Sequence, residues 1–429
     1  MDQRQKTRLT VAFNGDNRLI QSISEFPCVD SIFGKVSKDV VGGGRPSYLL
    51  ANISMAELAN SIRLAHERGL KFFYLLNSSC MGNQELSRAT NRQIHALLDS
   101  VEEAGADGVV VSLPYLLALV KKWHPKFRVS ISSFSIINSP QKARVWEDLG
   151  ADRLILAPSL NRDRAKLEKI RQAVKCELEL FANVMCTYQC PFDFAHASGN
   201  GHASSSVDSL KGFGIEYHSY QCAERRLRDP SEIIRGRFIR PEDVGVYEEI
   251  GIDVLKLSDR LRSTSWIVRA VGAYAARRYD GNLADLISYP VFMAKGEHPI
   301  TNPARFLARS SHANLALLKV LQGIKDCETP VYVDNRKLDG FLDHYFRHDC
   351  ERSICGVDCR YCASVAARAV TVWPEKKETC LSHIRRLNEV VESREAFVPD
   401  APIARLVMAV KGRLVSKKND FGDSSQSKT

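Results

Sequence analysis

The sequence predicts an α/β protein built on a parallel β/α (TIM-like) barrel with a small cysteine-rich C-terminal extension. Three observations predict it. A helix-to-strand joint recurs four times, with Gly69, Gly105, Gly150 and Gly251 each followed by an apolar run of strand length, and a glycine there can end a helix in the left-handed conformation. Segments with helical spacing precede the joints, such as Leu58, Ala59, Ile62 and Ala65, then Ile94, Leu97, Leu98 and Val101. The apolar runs are continuous rather than alternating, the pattern of strands covered on both faces of a parallel sheet.

Strands are expected at 8–13, 35–41, 71–77, 107–112, 128–133, 152–157, 177–183 and 253–258. Eight such strands close naturally into a barrel of roughly 280 residues, and periodicity alone also permits an open doubly wound sheet. A helix is expected from Ser263 to Tyr279, with Trp266, Ile267, Ala270, Val271 and Tyr274 on its core stripe. Beyond Pro290 there is no strong period until a cysteine-rich segment and two helices, and from Lys411 onward Lys, Asp, Ser and Gln dominate. The expected division is therefore a barrel domain over 1–290, a cysteine-containing extension over 291–410 and a disordered tail over 411–429.

Lys and Arg number 60 against 50 Asp and Glu, a net charge of +10 spread over 429 residues. That excess permits an acidic small-molecule substrate or RNA and demands neither. The first residues, Met1 to Arg8, are polar, and the apolar run from Gly108 to Val120 is broken by Ser112 and Pro114. The expectation is a soluble, cytoplasmic protein without a membrane span. In that reducing compartment twelve cysteines, several in tight groups, point to metal rather than to disulfides.

Cys186 and Cys190 stand in Asn-Val-Met-Cys-Thr-Tyr-Gln-Cys-Pro directly after the seventh expected strand, with Cys222 farther on. Reactive groups gather at such strand ends in a barrel, and thiolates are the preferred ligands of iron–sulfur clusters. His196, His202 and His218 lie in the same insertion, which keeps a mixed Cys/His zinc site open. Cys80 follows the third expected strand and is a candidate fourth ligand. Cys350, Cys355, Cys359 and Cys362 place four thiols within thirteen residues, as a second cluster, a zinc knot or ligands lent to the first group. Cys28, Cys176, Cys327 and Cys380 stand alone and read as small buried hydrophobes.

Asn77, Ser112, Ser132, Asn183, Lys256, Asp259 and Arg260 form the expected substrate wall at the strand ends. Lys256 and Arg260 bracket Leu-Ser-Asp. Together they can clamp a carboxylate or phosphate, unless Lys256 and Asp259 pair with barrel neighbours; Asn183 joins them as a candidate catalytic residue. Gly42, Gly43 and Gly44 before Arg45 form either a flexible turn or an anion-contacting loop. No Gly-x-Ser-x-Gly and no His-Glu-x-x-His occurs, and Ser139 with Lys142 lacks the companion motifs of a Ser-x-x-Lys enzyme. His344 and His348 have i,i+4 spacing without an intervening glutamate.

Three segments carry a resemblance: Glu179-Leu180-Phe181 leading to Cys186, Ile239-Arg240-Pro241-Glu242-Asp243-Val244, and Leu255-Lys256-Leu257-Ser258-Asp259-Arg260. In order and spacing they resemble the U32 peptidase family, also called collagenase-like proteases. Ser258 and Asp259 replace the Glu-Gly usual in that family. The resemblance covers residues 8 to 290, and Cys355, Cys359 and Cys362 are similar to the cysteine-rich end of a subgroup. It implies a barrel-like domain and a four-iron (4Fe-4S) cluster held by four cysteines, matched here by Cys186, Cys190 and Cys222, with Cys80 as the candidate fourth. Several members look like oxygen-independent hydroxylases acting on RNA bases, or on a quinone precursor with prephenate as oxygen source.

The expectation is an iron–sulfur hydroxylase or oxidoreductase acting on an RNA base or a small organic substrate, with Lys256 and Arg260 binding an acidic donor. A peptidase, whose activated water only a metal at the Cys/His insertion can supply, and a non-catalytic iron–sulfur subunit are the alternatives. A second U32-like subunit is a candidate partner.

Overall fold

The computed structural model describes residues 7–208, 217–288, 315–348 and 350–397. Eight strands run in sequence order around a closed barrel: β1 (Arg8–Ala12), β2 (Val29–Gly34), β3 (Lys71–Leu76), β4 (Gly108–Val111), β5 (Arg128–Ile131), β6 (Arg153–Ile155), β7 (Glu177–Phe181) and β8 (Val254–Leu257). All neighbours are parallel, and β8 closes onto β1 with Val254 opposite Arg8. That closure rules out the open doubly wound sheet. Gly69, Gly105, Gly150 and Gly251 all adopt positive φ, between 75° and 98°.

Seven of the eight strands lie where the apolar runs place them, and the second does not. It occupies 29–34 rather than 35–41. Asp30 and Ser31 interrupt its apolar pattern, yet both are used: Asp30 meets Arg8 at 3.3 Å, and Ser31 Oγ donates to Thr10 Oγ1 at 2.9 Å. The more apolar-looking stretch after it starts with Lys35, which turns back onto Asp39 at 2.9 Å and forms a loop.

The surrounding helices are α1 (Asn17–Ile23), α2 (Met55–Glu67), α3 (Arg88–Glu103), α4 (Pro114–Trp123), α5 (Pro140–Asp148) and α6 (Arg164–Ala173). The β7–β8 connection carries α7 (Asp193–His202), α8 (Tyr217–Arg228), α9 (Ser231–Arg235) and α10 (Val244–Ile250), and α11 (Thr264–Ala276) follows β8. The extension comprises α12 (Leu315–Lys325), β9 (Val331–Val333), α13 (Leu342–Arg347), α14 (Tyr361–Ala369), β10 (Val370–Val372) and α15 (Pro374–Glu392), with β9 and β10 antiparallel. The tail expected at 411–429 lies outside the described residues.

Side chains alternate across the staves. Ala12, Phe33, Phe73, Leu75, Val110 and Ile155 fill the barrel, while Val11, Ile32, Phe72, Val109 and Leu154 face the helices. Gly108 is required at its place, because a Cβ there would lie 2.3 Å from Arg128 O and 2.8 Å from the Phe73 ring. The outer core runs on without a break into Leu317, Phe341, Val365 and Ile384 of the extension. At the end of the barrel where the strands begin, Glu177 takes Arg8 at 2.6 Å, Arg153 at 2.8 Å and Arg128 at 2.9 Å. Among the described residues no helix is long and apolar enough to cross a membrane.

Candidate active site at the barrel mouth

A cavity of about 760 Å³ opens where the strands end, the usual place for a site in this fold. Phe33, Asn77, Ser132, Lys256 and Arg260 line it from the barrel, Cys186 and Cys190 from the loop after β7, and Tyr345 and Cys350 from the extension.

The structure brings Cys186, Cys190 and Cys222 together. Cys190 and Cys222 share a hydrogen bond, and Cys186 is near enough for its charge to act on Cys222 and for the charge of Cys190 to act on it. Cys222 reaches them from α8. The bond to Cys190 and the charge of Arg226 lower the Cys222 thiol, while that bond and burial raise Cys190. Surrounding protein atoms and the carboxylate of Asp193 push the Cys186 thiol up to about 11. Arg226 is buried and also braces the loop, its Nη2 donating to Met185 O.

Two members of this group escaped the sequence reading. Asp193 acts on all three thiols and accepts a hydrogen bond from Cys190; burial raises its carboxyl. Its position three residues after Cys190, on the first turn of α7, is the signal that marks it. Arg226 carries no such signal, because an arginine on a helix reads as solvated until packing buries it. His196 lines the cavity and is lowered to about 4 by burial and by Arg45, so it is neutral near pH 7. Three thiols with a carboxyl and a neutral imidazole beside them fit the donor chemistry of a cluster bound at three corners by sulfur.

Cys80 is placed differently. Its sulfur accepts from Gly82 N–H at 3.3 Å in a turn beside Gly201 of α7, and it is not part of the cavity lining. His202 pairs with Asp208 at 2.8 Å, and His218 stacks on Phe192.

Lys256 and Arg260 separate in role. Lys256 points into the barrel, paired with Glu179 at 3.1 Å and seated 3.7 Å from the centre of the Phe33 ring. Glu179 is shared with Arg153 at 3.1 Å. Asp259 is held by Ser288 at 2.9 Å and Arg262 at 3.6 Å. Arg260 lines the cavity at 8% exposure and has no hydrogen-bond or ion-pair partner among the described residues. Burial and neighbouring Arg45 lower it to about 10.

Asn183 does not reach the cavity. Its amide donates to Ser258 O and Leu286 O and accepts from Ser258 N–H and Oγ. That uses all four of its hydrogen-bonding positions and ties the end of β7 to the end of β8. The glycine loop is a turn rather than an anion cradle: Gly42 N–H is taken by Asp39 at 2.8 Å and Gly43 N–H by Ser204 at 2.7 Å. Asn77 Oδ1, by contrast, is buried without a hydrogen-bond partner among the described residues.

The tail thiols divide. Cys350 faces the cavity beside Arg237, and Cys362 lies 3.2 Å from the Tyr345 hydroxyl. Cys359 turns toward His344, with 3.7 Å between Sγ and Nε2, while Cys355 is exposed on the intervening turn.

The model of peptidase family U32 matches residues 45–209, a span that holds β3 to β7 and the loop with Cys186 and Cys190. An uncharacterized protease of Methanocaldococcus jannaschii is 27% identical over 335 residues, 78% of this chain and 87% of that protein. Over residues 45–209 the chain thus resembles peptidase family U32.

The chain is also 22% identical over 239 residues to the tRNA hydroxylation protein P1 of Bacillus subtilis, covering 52% of this chain and 53% of that one. It is 22% identical over 235 residues to the 23S rRNA 5-hydroxycytidine C2501 synthase of Escherichia coli, covering 52% of this chain and 33% of that one. A solved U32 peptidase structure aligns with a TM-score of 0.46 and 23% identity, over 60% of this chain and 95% of that chain.

Proposed function

We propose that this protein is a U32-type iron–sulfur oxidoreductase that hydroxylates a base in RNA without using molecular oxygen. The observation that carries the reading is the meeting of Cys222 with Cys186 and Cys190, which line a cavity that also holds Arg260, an arginine without a hydrogen-bond or ion-pair partner among the described residues. The names of the Bacillus subtilis and Escherichia coli relatives, both RNA hydroxylation proteins, support the substrate class.

On this reading Cys186, Cys190 and Cys222 hold the cluster, and Asp193 or an exogenous ligand completes it. The cluster when bound supplies one-electron redox chemistry at the cavity wall. Arg260, with Arg45 nearby, binds the anionic group of the substrate or of an acidic oxygen donor; a planar, always-charged guanidinium suits phosphate and carboxylate alike. Phe134, Phe194 and Tyr188 line the cavity and offer aromatic faces on which an unstacked base can lie. Asn77 Oδ1 accepts a hydrogen bond from the base edge.

Protein purified without oxygen is expected to be brown, with iron and acid-labile sulfide in comparable amounts, and Cys190→Ser and Cys222→Ser are expected to lose both. RNA from cells lacking the gene is expected to lack one hydroxylated base, seen by mass spectrometry of its nucleosides. Colourless protein holding only zinc would refute the reading.

The protease name of the Methanocaldococcus relative favours a peptidase as the second reading. A Ser–His contact does occur near the cavity, Ser219 Oγ to His196 Nε2 at 3.4 Å, but Ser219 is buried and is not part of the lining. Cleavage of casein by the parent, lost in Cys190→Ala, would move the assignment to hydrolysis.

A further inference from the structure

The His344–His348 pair has no part in the chemistry above. Both residues lie on or next to α13, one helical turn apart, so their rings leave the same face. They stack with centroids 4.8 Å apart and planes 28° from parallel. The chain then returns through a tight turn at Gly356, whose φ of 88° favours glycine. The turn bridges the backbones of Cys355 and Cys359. Gly356 N–H donates to Cys359 O at 2.9 Å, and Ile354 N–H donates to Asp358 Oδ2 at 2.9 Å.

This folding carries Cys359 Sγ to 3.7 Å from His344 Nε2. The donor atoms of His344, His348 and Cys359 all lie within 4.8 Å of one another, the one three-donor set of that kind among the described residues. Structural zinc sites draw tetrahedral Cys2His2 ligands from pairs separated by two to five residues. The pairs His344/His348 and Cys355/Cys359 each enclose three residues.

Neighbouring groups hold the rings as a ligand shell requires. The His344 ring stacks on Tyr361 with centroids 3.8 Å apart. Ser353 Oγ lies 2.9 Å from His348 Nε2; with the imidazole proton on Nε2 in that hydrogen bond, Nδ1 is left for an ion.

We propose that His344, His348, Cys355 and Cys359 bind one zinc ion, at a site separate from the thiols of the barrel mouth. The ion ties the turn after Cys350 to the helix that carries Tyr345, two residues of the cavity wall. Cys350 and Cys362 are not ligands in this arrangement.

The test is metal analysis and zinc-edge X-ray absorption on the full chain, purified without oxygen or added metal. One zinc per chain with two sulfur and two nitrogen neighbours is expected. Absence of zinc, or a shell of four sulfurs, overturns the assignment, as does zinc that persists in both His344→Gln and Cys359→Ser. Cys350→Ser is expected to keep zinc, and its loss there would also count against this ligand set. Cys190→Ser is expected to lose iron and keep zinc, so the two metal assignments fail or stand separately. If the His344 and Cys359 variants do not fold, cobalt-loaded parent decides: intense visible bands of a tetrahedral thiolate site are expected, and weak octahedral bands alone overturn the proposal.

Discussion

Lys256 and Arg260 are four residues apart and were equally readable as an anion clamp, yet the fold gives them different partners. Glu179, which neutralises Lys256, is 77 residues away in sequence, and no local pattern reveals it. Lys256→Met leaves Glu179 buried with Arg153 as its one ion-pair partner among the described residues. Breaking a buried pair costs about 3–5 kcal/mol, so urea unfolding should register a loss near the lower end, partly recovered in Lys256→Met/Glu179→Gln. Arg260→Gln keeps the shape and removes the charge. A hydrogen bond to a charged group contributes about 1.5–3 kcal/mol, so KM for the anionic substrate should rise roughly 10- to 100-fold with the melting temperature little changed.

Strand positions were legible wherever an apolar run met a glycine joint, as at Gly69 before β3 and Gly150 before β6. β2 was not, because its polar residues serve contacts inside the barrel and at its rim. That rim also sets the acid limb of stability. Burial alone would raise the Glu177 carboxyl, but Arg153 and Arg8 hold it at about 2. The folded value lies below the ordinary 4.5, so the ion cluster stabilises the fold fully above pH 4.5 and loses that contribution as pH falls toward 2. Melting temperature followed through this range should fall less steeply in Glu177→Gln than in the parent. Equal slopes would show that another carboxylate governs the acid limb.

At the scale of the whole molecule, the glycine joints and continuous apolar runs foretold the barrel, and the structure brings Cys186, Cys190 and Cys222 near one another at its mouth. The covering of the mouth by the extension was not legible, since it depends on contacts between distant segments. Arg162, 2% exposed, is ringed by Phe238, Phe341 and Tyr345 at 4.7–4.9 Å, and its Nη1 donates to the Tyr345 hydroxyl at 3.0 Å. The extension thus completes the core as well as the cavity. Truncation after residue 290 is expected to expose Phe238 and to abolish cooperative thermal unfolding; a sharp transition in the truncated protein would mean that the barrel stands alone.

The mouth is roofed on one side by α13 and floored by charged staves, and its volume of about 760 Å³ suits one nucleotide, far short of a double helix. A paired target would first have to swing out of its stack, at a cost of a few kcal/mol. For the RNA substrate proposed above, hairpin tips and other single-stranded bends, whose bases are already free of partners, are therefore the expected targets, and locking such a tip into a continuous duplex should silence turnover.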